Sequence, residues 1–146
     1  MSLAVQGCSW LELECKGDAS RGYLSFAESA QDVPFDIKRI YYIYHVPGPG
    51  VQRGGHAHQN LSQLFLSVAG SFQLDLDDGT TRESVVLDRP ERGVLLTGLV
   101  WRQMTRMSPD CVILVLASEK YDPADYVTDY QEFLSKAGQA GEEGMA

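Results

Sequence analysis

His56 and His58, in the run Arg53-Gly54-Gly55-His56-Ala57-His58, are the residues of this chain best suited to chemistry. Alternate residues of an extended strand share a face, so the two imidazoles project to the same side. Two imidazoles on one wall are metal ligands, acid–base groups or a satisfied polar pair. Directly after a Gly-Gly bend, where the backbone can turn or approach a ligand closely, a functional reading is favoured. Imidazole, with an ordinary pKa of about 6.5, takes up and returns a proton near neutral pH. A developing oxyanion beside it needs donors, which a second His, a Tyr hydroxyl or an Arg can supply.

The spacing continues the pattern. Gln63 follows His58 after four residues, and Gly70 follows Gln63 after six. His-x-His, four residues, an acid, six residues and Gly is the first motif of the cupins, and the chain resembles that superfamily with Gln63 in place of the acid. Pro90-Glu91-Arg92-Gly93 supplies the turn of the second motif, but no His follows residue 58, and Trp101 occupies the next strand. A dication would find two imidazoles and a neutral amide here, whereas catalytic sites commonly use three His or two His plus a carboxylate. No metal and no cofactor is therefore expected.

The elements that must hold these groups read as nearly all β. Trp10–Cys15, Gly22–Glu28, Ile37–Val46, Ser62–Val68, Ser71–Leu76, Arg82–Leu87, Gly93–Leu96, Leu99–Met107 and Cys111–Ala117 are short runs of β-formers separated by turn residues. Asp78-Gly79 is a hairpin signal, and the PGPG run at 47–50 forces a turn. Many short strands at this spacing imply a sandwich or barrel. The fold class expected is all-β, a cupin or jelly-roll β-barrel with a short C-terminal helix at Asp129–Ala137. Pro123–Tyr126 reads as one helical turn. Residues 1–137 form one domain in this reading, and 138–146 a disordered tail with nothing to bury.

Length and charge narrow the partners. The 146 residues fit one domain, and a formal net charge of −8 argues against a nucleic-acid polymer. A small anionic ligand needs only a local pocket of Arg or Lys. Cys8, Cys15 and Cys111 show no CxxC spacing and read as reduced thiols in a cytoplasmic protein. No signal peptide and no membrane span is expected, since Val112–Ala117 is the longest apolar stretch.

Several further segments narrow the resemblance. IKRIYYIY at 37–44, RGGHAH, Gly70-Ser71, the LDRPERG turn, Val100-Trp101-Arg102, LVLASEKYD and Asp125-Tyr126 are together similar to the dTDP-sugar 3,4-ketoisomerase family. The likeness runs in order from about Arg21 to Leu134. Thr97-Gly98 departs from it, standing where relatives carry prolines. The resemblance implies a metal-free cupin acting on dTDP-4-keto-6-deoxyglucose by a 1,2-carbonyl shift through an enediolate, and a homodimer that exchanges or pairs N-terminal strands. His56 is the leading base and His58 its partner, with the reverse order open. Tyr44 is the candidate donor, and Tyr42 shares its strand face; Tyr41 is read as core. Arg53 holds the pyrophosphate or a sugar oxygen, or else is a solvated loop charge. Gln63 hydrogen-bonds the sugar, Gly55 lets the ligand approach, and Trp101 and Tyr121 stack on the base or line the pocket, with core packing the alternative for both. Arg102 has the opposite strand parity to Trp101 and is placed outside its pocket, while Asp125 and Tyr126 read as structural. Two rivals stand beside this: a metal-dependent cupin enzyme, and a non-catalytic sugar-nucleotide-binding module.

Overall fold

Two antiparallel five-stranded sheets carry the molecule, and the computed structural model describes the backbone of residues 1–145 and the side chains of 1–139. The strands are β1 (Cys8–Glu12), β2 (Cys15–Asp18), β3 (Gly22–Ser25), β4 (Arg39–Ile43), β5 (Arg53–His58), β6 (Gln63–Ala69), β7 (Phe72–Asp77), β8 (Arg82–Leu87), β9 (Arg92–Leu96), β10 (Trp101–Thr105), β11 (Val112–Ala117) and β12 (Tyr126–Val127). One sheet has the order β1-β9-β6-β11-β4, the other β12-β5-β10-β7-β8, and β2 and β3 form a separate hairpin. The sheets are not closed into a continuous barrel, and the architecture is of the cupin type.

The period of two along each strand decides what faces what. Phe72, Leu74 and Leu76 of one sheet meet Phe65, Val94, Leu96, Ile113 and Val115 of the other in a single buried cluster. The outer face of the first sheet is covered by its own preceding chain: Leu13, Val33, Phe35 and Ile37 pack on Leu64, Leu66, Leu114 and Leu116. Strands apolar on both faces, such as VILVLA in β11, are read this way, with one face to each layer.

The outer face of the second sheet is covered by helix α1 (Tyr130–Met145). Its first turn is capped by Asp129, whose carboxylate accepts from the Gln131 N–H at 2.9 Å. Phe133 is fully buried against Ala57 and Val127, with Trp101 beside it. Burying that ring contributes about 2–3 kcal/mol to holding the helix in place. The helix extends well beyond Ala137, through most of the stretch expected to be a disordered tail, and Ala146 lies outside the described residues.

Strand β5 carries an irregularity that matters below. Arg102 pairs with His56 but Gln103 pairs with Gly54, so Gly55 is an extra residue, a β-bulge. Gly54 and Gly55 have φ of 89° and 73°, the left-handed region that side chains resist. A Cβ on Gly54 would also stand 3.0 Å from the Arg102 carbonyl oxygen.

Candidate active site

His56 and His58 project from β5 toward the space between the sheets, because Ala57 between them faces α1. Their rings lie edge to face with centroids 4.8 Å apart. His58 is completely buried, whereas His56 is only partly covered. The ring of Tyr126 lies against both, at 4.9 Å from His56 and 4.3 Å from His58.

Asp125 fixes His58 from behind. Its Oδ2 lies 3.0 Å from His58 Nδ1, and its Oδ1 accepts the N–H groups of Gln59 and Asn60 at 3.0 and 2.7 Å. Local sequence explains the placement. Asp122 caps a 3-10 turn with Pro123 at its start, and β12 then pairs with β5, setting Tyr126 opposite His58. A carboxylate at Nδ1 holds a neutral imidazole as the Nδ1–H tautomer and leaves Nε2 with its lone pair.

Beneath the histidines runs a buried polar chain. Arg102, opposite His56 in the ladder, is fully buried; its Nε and Nη2 donate to the Val100 carbonyl at 3.1 and 2.8 Å, and its Nη1 donates to Gln63 Oε1 at 2.5 Å. Gln63 Nε2 in turn donates to the Tyr41 hydroxyl at 3.2 Å. All the direct partners of the guanidinium are neutral. A buried cation so placed raises the potential of everything nearby.

The titration behaviour follows. Burial first, then the Arg102 charge, lower the His56 pKa to about 4, against a weaker opposing hydrogen bond to the Gly54 backbone. Burial, Arg102 and His56 push His58 down to about 3, with Asp125 pulling the other way. Burial lowers Arg102 itself to about 10, which leaves it charged at neutral pH. Burial also raises the Tyr41 pKa, so its hydroxyl keeps its proton. The site thus favours two neutral imidazoles beside the buried Arg102 cation, whose direct partners are neutral and whose nearest site carboxylate, Asp125, is engaged with His58.

The sequence matches, over residues 6–138, the family described as FdtA: WxcM-like, C-terminal. The chain belongs to that family. This FdtA-family chain is 42% identical over 114 residues to a TDP-4-oxo-6-deoxy-alpha-D-glucose-3,4-oxoisomerase of Aneurinibacillus thermoaerophilus, covering 78% of this chain and 81% of that protein. Among solved structures, a 3,4-ketoisomerase from Helicobacter canadensis superposes with a TM-score of 0.85 at 39% identity, over 90% of this chain and 97% of the other. A His-to-Asn mutant of the 3,4-ketoisomerase QdtA from Thermoanaerobacterium thermosaccharolyticum, in complex with TDP-4-keto-6-deoxyglucose, superposes with a TM-score of 0.89 at 33% identity, over 92% and 96% of the two chains.

In the FdtA-family chain, the other expected site residues lie at differing distances from the imidazoles. Tyr42 and Tyr44 are 61% and 56% exposed on the outward side of β4, so neither reaches the histidines; Tyr41, expected in the core, supplies the inward hydroxyl. Both faces of IKRIYYIY carry aromatics, and period alone does not choose between them. Trp101 packs against Tyr130 and Phe133 of α1, at centroid distances of 5.1 and 5.6 Å, on the far side of its sheet from the imidazoles. It is a packing residue here. Gln63 is fully buried, its carbonyl accepting from Arg102 and its amide donating to Tyr41, so in this structure it holds the guanidinium. Arg53 is exposed at the start of β5, and Gly55 forms the bulge. Tyr121 is exposed with its ring 5.9 Å from Tyr126, at the rim of the site.

Arg102, Asp125 and Tyr126 join the site from outside the set that sequence reasoning assigns to it. Arg102 has a legible signal: it alternates with Val100 and Met104, so the apolar face of that strand contains a charge. Asp125 and Tyr126 carry no comparable pattern. They reach the histidines only through the pairing of a two-residue strand.

Proposed function

We propose that this chain is a sugar-nucleotide 3,4-ketoisomerase acting on TDP-4-keto-6-deoxyglucose, and that His56 is its base. The relatives named for that reaction and the complex of one of them with that sugar support the substrate. The observation that carries the mechanism is the pair of neutral imidazoles, one partly accessible and one buried on a carboxylate.

His56 removes the proton from C3 of the sugar. The C–H electron pair becomes the C3=C4 bond, and the C4 carbonyl pair moves onto its oxygen to give the enediolate. His56, now an imidazolium, returns the proton to C4, while the 3-hydroxyl loses its proton to become the ketone and the 4-oxygen gains one. Atoms and electrons balance with no redox partner. A base whose conjugate acid has a low pKa gives its proton back readily, which suits a reaction that must run in both senses. The Arg102 charge that disfavours imidazolium favours negative charge on the enediolate at the same place. His58, held by Asp125, packs edge-on against His56 and relays the hydroxyl proton. A guanidinium on the Gln63 carbonyl opposes a dication at that position, which supports proton transfer without a metal.

The exposed edge of the first sheet, with Ile40, Tyr42 and Tyr44, and the hairpin residues Tyr23 and Leu24, supports a homodimer; light scattering after size exclusion should give twice the chain mass. No helix among the described residues is long and apolar enough to cross a membrane. The free thiols Cys8, Cys15 and Cys111 support a reducing, cytoplasmic setting.

The test is proton NMR of the sugar nucleotide with enzyme in deuterated water. The 3-keto product should appear, and His56→Asn should lose at least about two orders of magnitude in rate. Wild-type turnover by His56→Asn would remove the base assignment, and no product from the parent would remove the activity.

A further inference from the structure

Tyr126 lies against both imidazoles, yet the proton transfers assigned to His56 and His58 make no use of it. It stands directly opposite His58 in the β12–β5 ladder, and partners across a ladder share a face, so its side chain enters the same space as the two histidines. The inward phenol of the facing sheet, Tyr41, has its oxygen occupied by the Gln63 amide, and Tyr42 and Tyr44 face outward. Among the described residues no hydrogen bond reaches the Tyr126 hydroxyl. Nor is that oxygen sealed away, since the buried side-chain atoms left unpaired are the Nε atoms of Arg39 and Arg92. A half-buried phenol with a free, accessible hydroxyl therefore stands beside the reacting groups.

The reaction has a use for such a group. Moving a carbonyl from C4 to C3 takes the carbon proton on and off at His56, and it also carries one proton from the 3-oxygen to the 4-oxygen. A phenol gives and accepts a proton at a single atom. Tyr126 is also within electrostatic reach of the buried Arg102 guanidinium, which favours a phenolate for the lifetime of a transfer.

We infer that Tyr126 is a catalytic residue of the isomerisation, delivering its hydroxyl proton to the 4-oxygen while His58 collects the proton of the 3-hydroxyl. This deepens the ketoisomerase reading above and rests on it. The O3–H pair becomes the new C3=O bond as the C3=C4 pair takes the His56 proton at C4. The His58 imidazolium then passes its proton to the Tyr126 phenolate. One proton has crossed from the 3-oxygen to the 4-oxygen, and both side chains are restored. Burial and Arg102 push the His58 pKa down to about 3, which makes its imidazolium a ready donor for the last step.

The role has a signature that packing does not share. Without the relay the enediolate still forms at His56 and returns to the 4-keto sugar by reprotonation at C3, but its way to the 3-keto sugar is obstructed. The test incubates the parent and Tyr126→Phe with TDP-4-keto-6-deoxyglucose in deuterated water, and NMR follows deuterium at C3 of the recovered substrate beside the 3-keto product. Tyr126→Phe keeps the ring, so the 15N shifts of His56 and His58 should hold. Product formation should fall about 100-fold and exchange at C3 much less, so that the ratio of exchange to product rises at least about tenfold. An unchanged product rate overturns the relay. So does a loss shared equally by exchange and product, which would make Tyr126 a support for the imidazoles alone. A parent that gives neither exchange nor product removes the activity and the relay with it, whereas a failure confined to the variant leaves the activity standing.

Discussion

Replacing Asp125 with Asn isolates what the carboxylate does for His58. Asp125→Asn keeps one oxygen for the Gln59 and Asn60 N–H groups, so the β12 junction should survive. Toward His58 Nδ1, 3.0 Å away, it offers an amide that can donate, and the imidazole answers by moving its proton to Nε2. The lone pair then points at the new amide in place of the site. A charge-assisted hydrogen bond contributes about 1.5–3 kcal/mol, and each 1.36 kcal/mol is tenfold, so kcat should fall about 10- to 150-fold with little change in KM. Because Asp125 raises the His58 pKa against burial and Arg102, its removal should lower that pKa further. Steady-state kinetics gives the first quantity, and 15N shifts of labelled imidazoles report the tautomer directly. Full kcat together with an unaltered Nδ1–H tautomer would refute the assignment of Asp125 as the positioning group.

The acid limb of kcat/KM should lie near pH 4, where His56 gains its proton, and not near 6.5, with activity flat through neutrality. Stability follows the same sign: both histidines are favoured neutral in the fold, so their contribution is complete above about 6.5 and is lost as pH falls through about 4 for His56 and about 3 for His58, which denaturant midpoints against pH will show. Arg102→Met should shift that acid limb upward, since the guanidinium charge is the second cause of the depression after burial; a limb that stays put would contradict the electrostatic account. Tyr41→Phe, which removes a buried hydroxyl bonded to Gln63, should slow turnover, whereas Tyr42→Phe and Tyr44→Phe should leave kcat unchanged; the reverse ranking would mean the inward face has been misidentified.

Much of this molecule is visible in one dimension. Alternation in FQLDLD and VILVLA, the Asp-Gly turn and the β-rich runs place most strands within a few residues of their observed ends. The His-x-His spacing and the bend before it place the imidazole pair on one face of β5. Where both strand faces are aromatic, as at Tyr41 to Tyr44, period two carries no information about which is inside, and the expected donor falls on the outward side. Trp101 faces a helix that lies a whole β-layer away from the site, and nothing in its neighbours says so. Asp125 depends on a contact 67 positions along the chain, which only the assembled sheet creates.

The bulge at Gly55 changes the phase of its strand. In an unbroken ladder Arg53, three positions before His56, would be turned to the opposite surface; with one residue skipped it stands across from Met104, on the imidazole side. The facing of Arg53 is thus governed by residue count as much as by residue type: gaining or losing a single position before His56 would turn the arginine to the opposite face of β5 while His56 and His58 kept theirs.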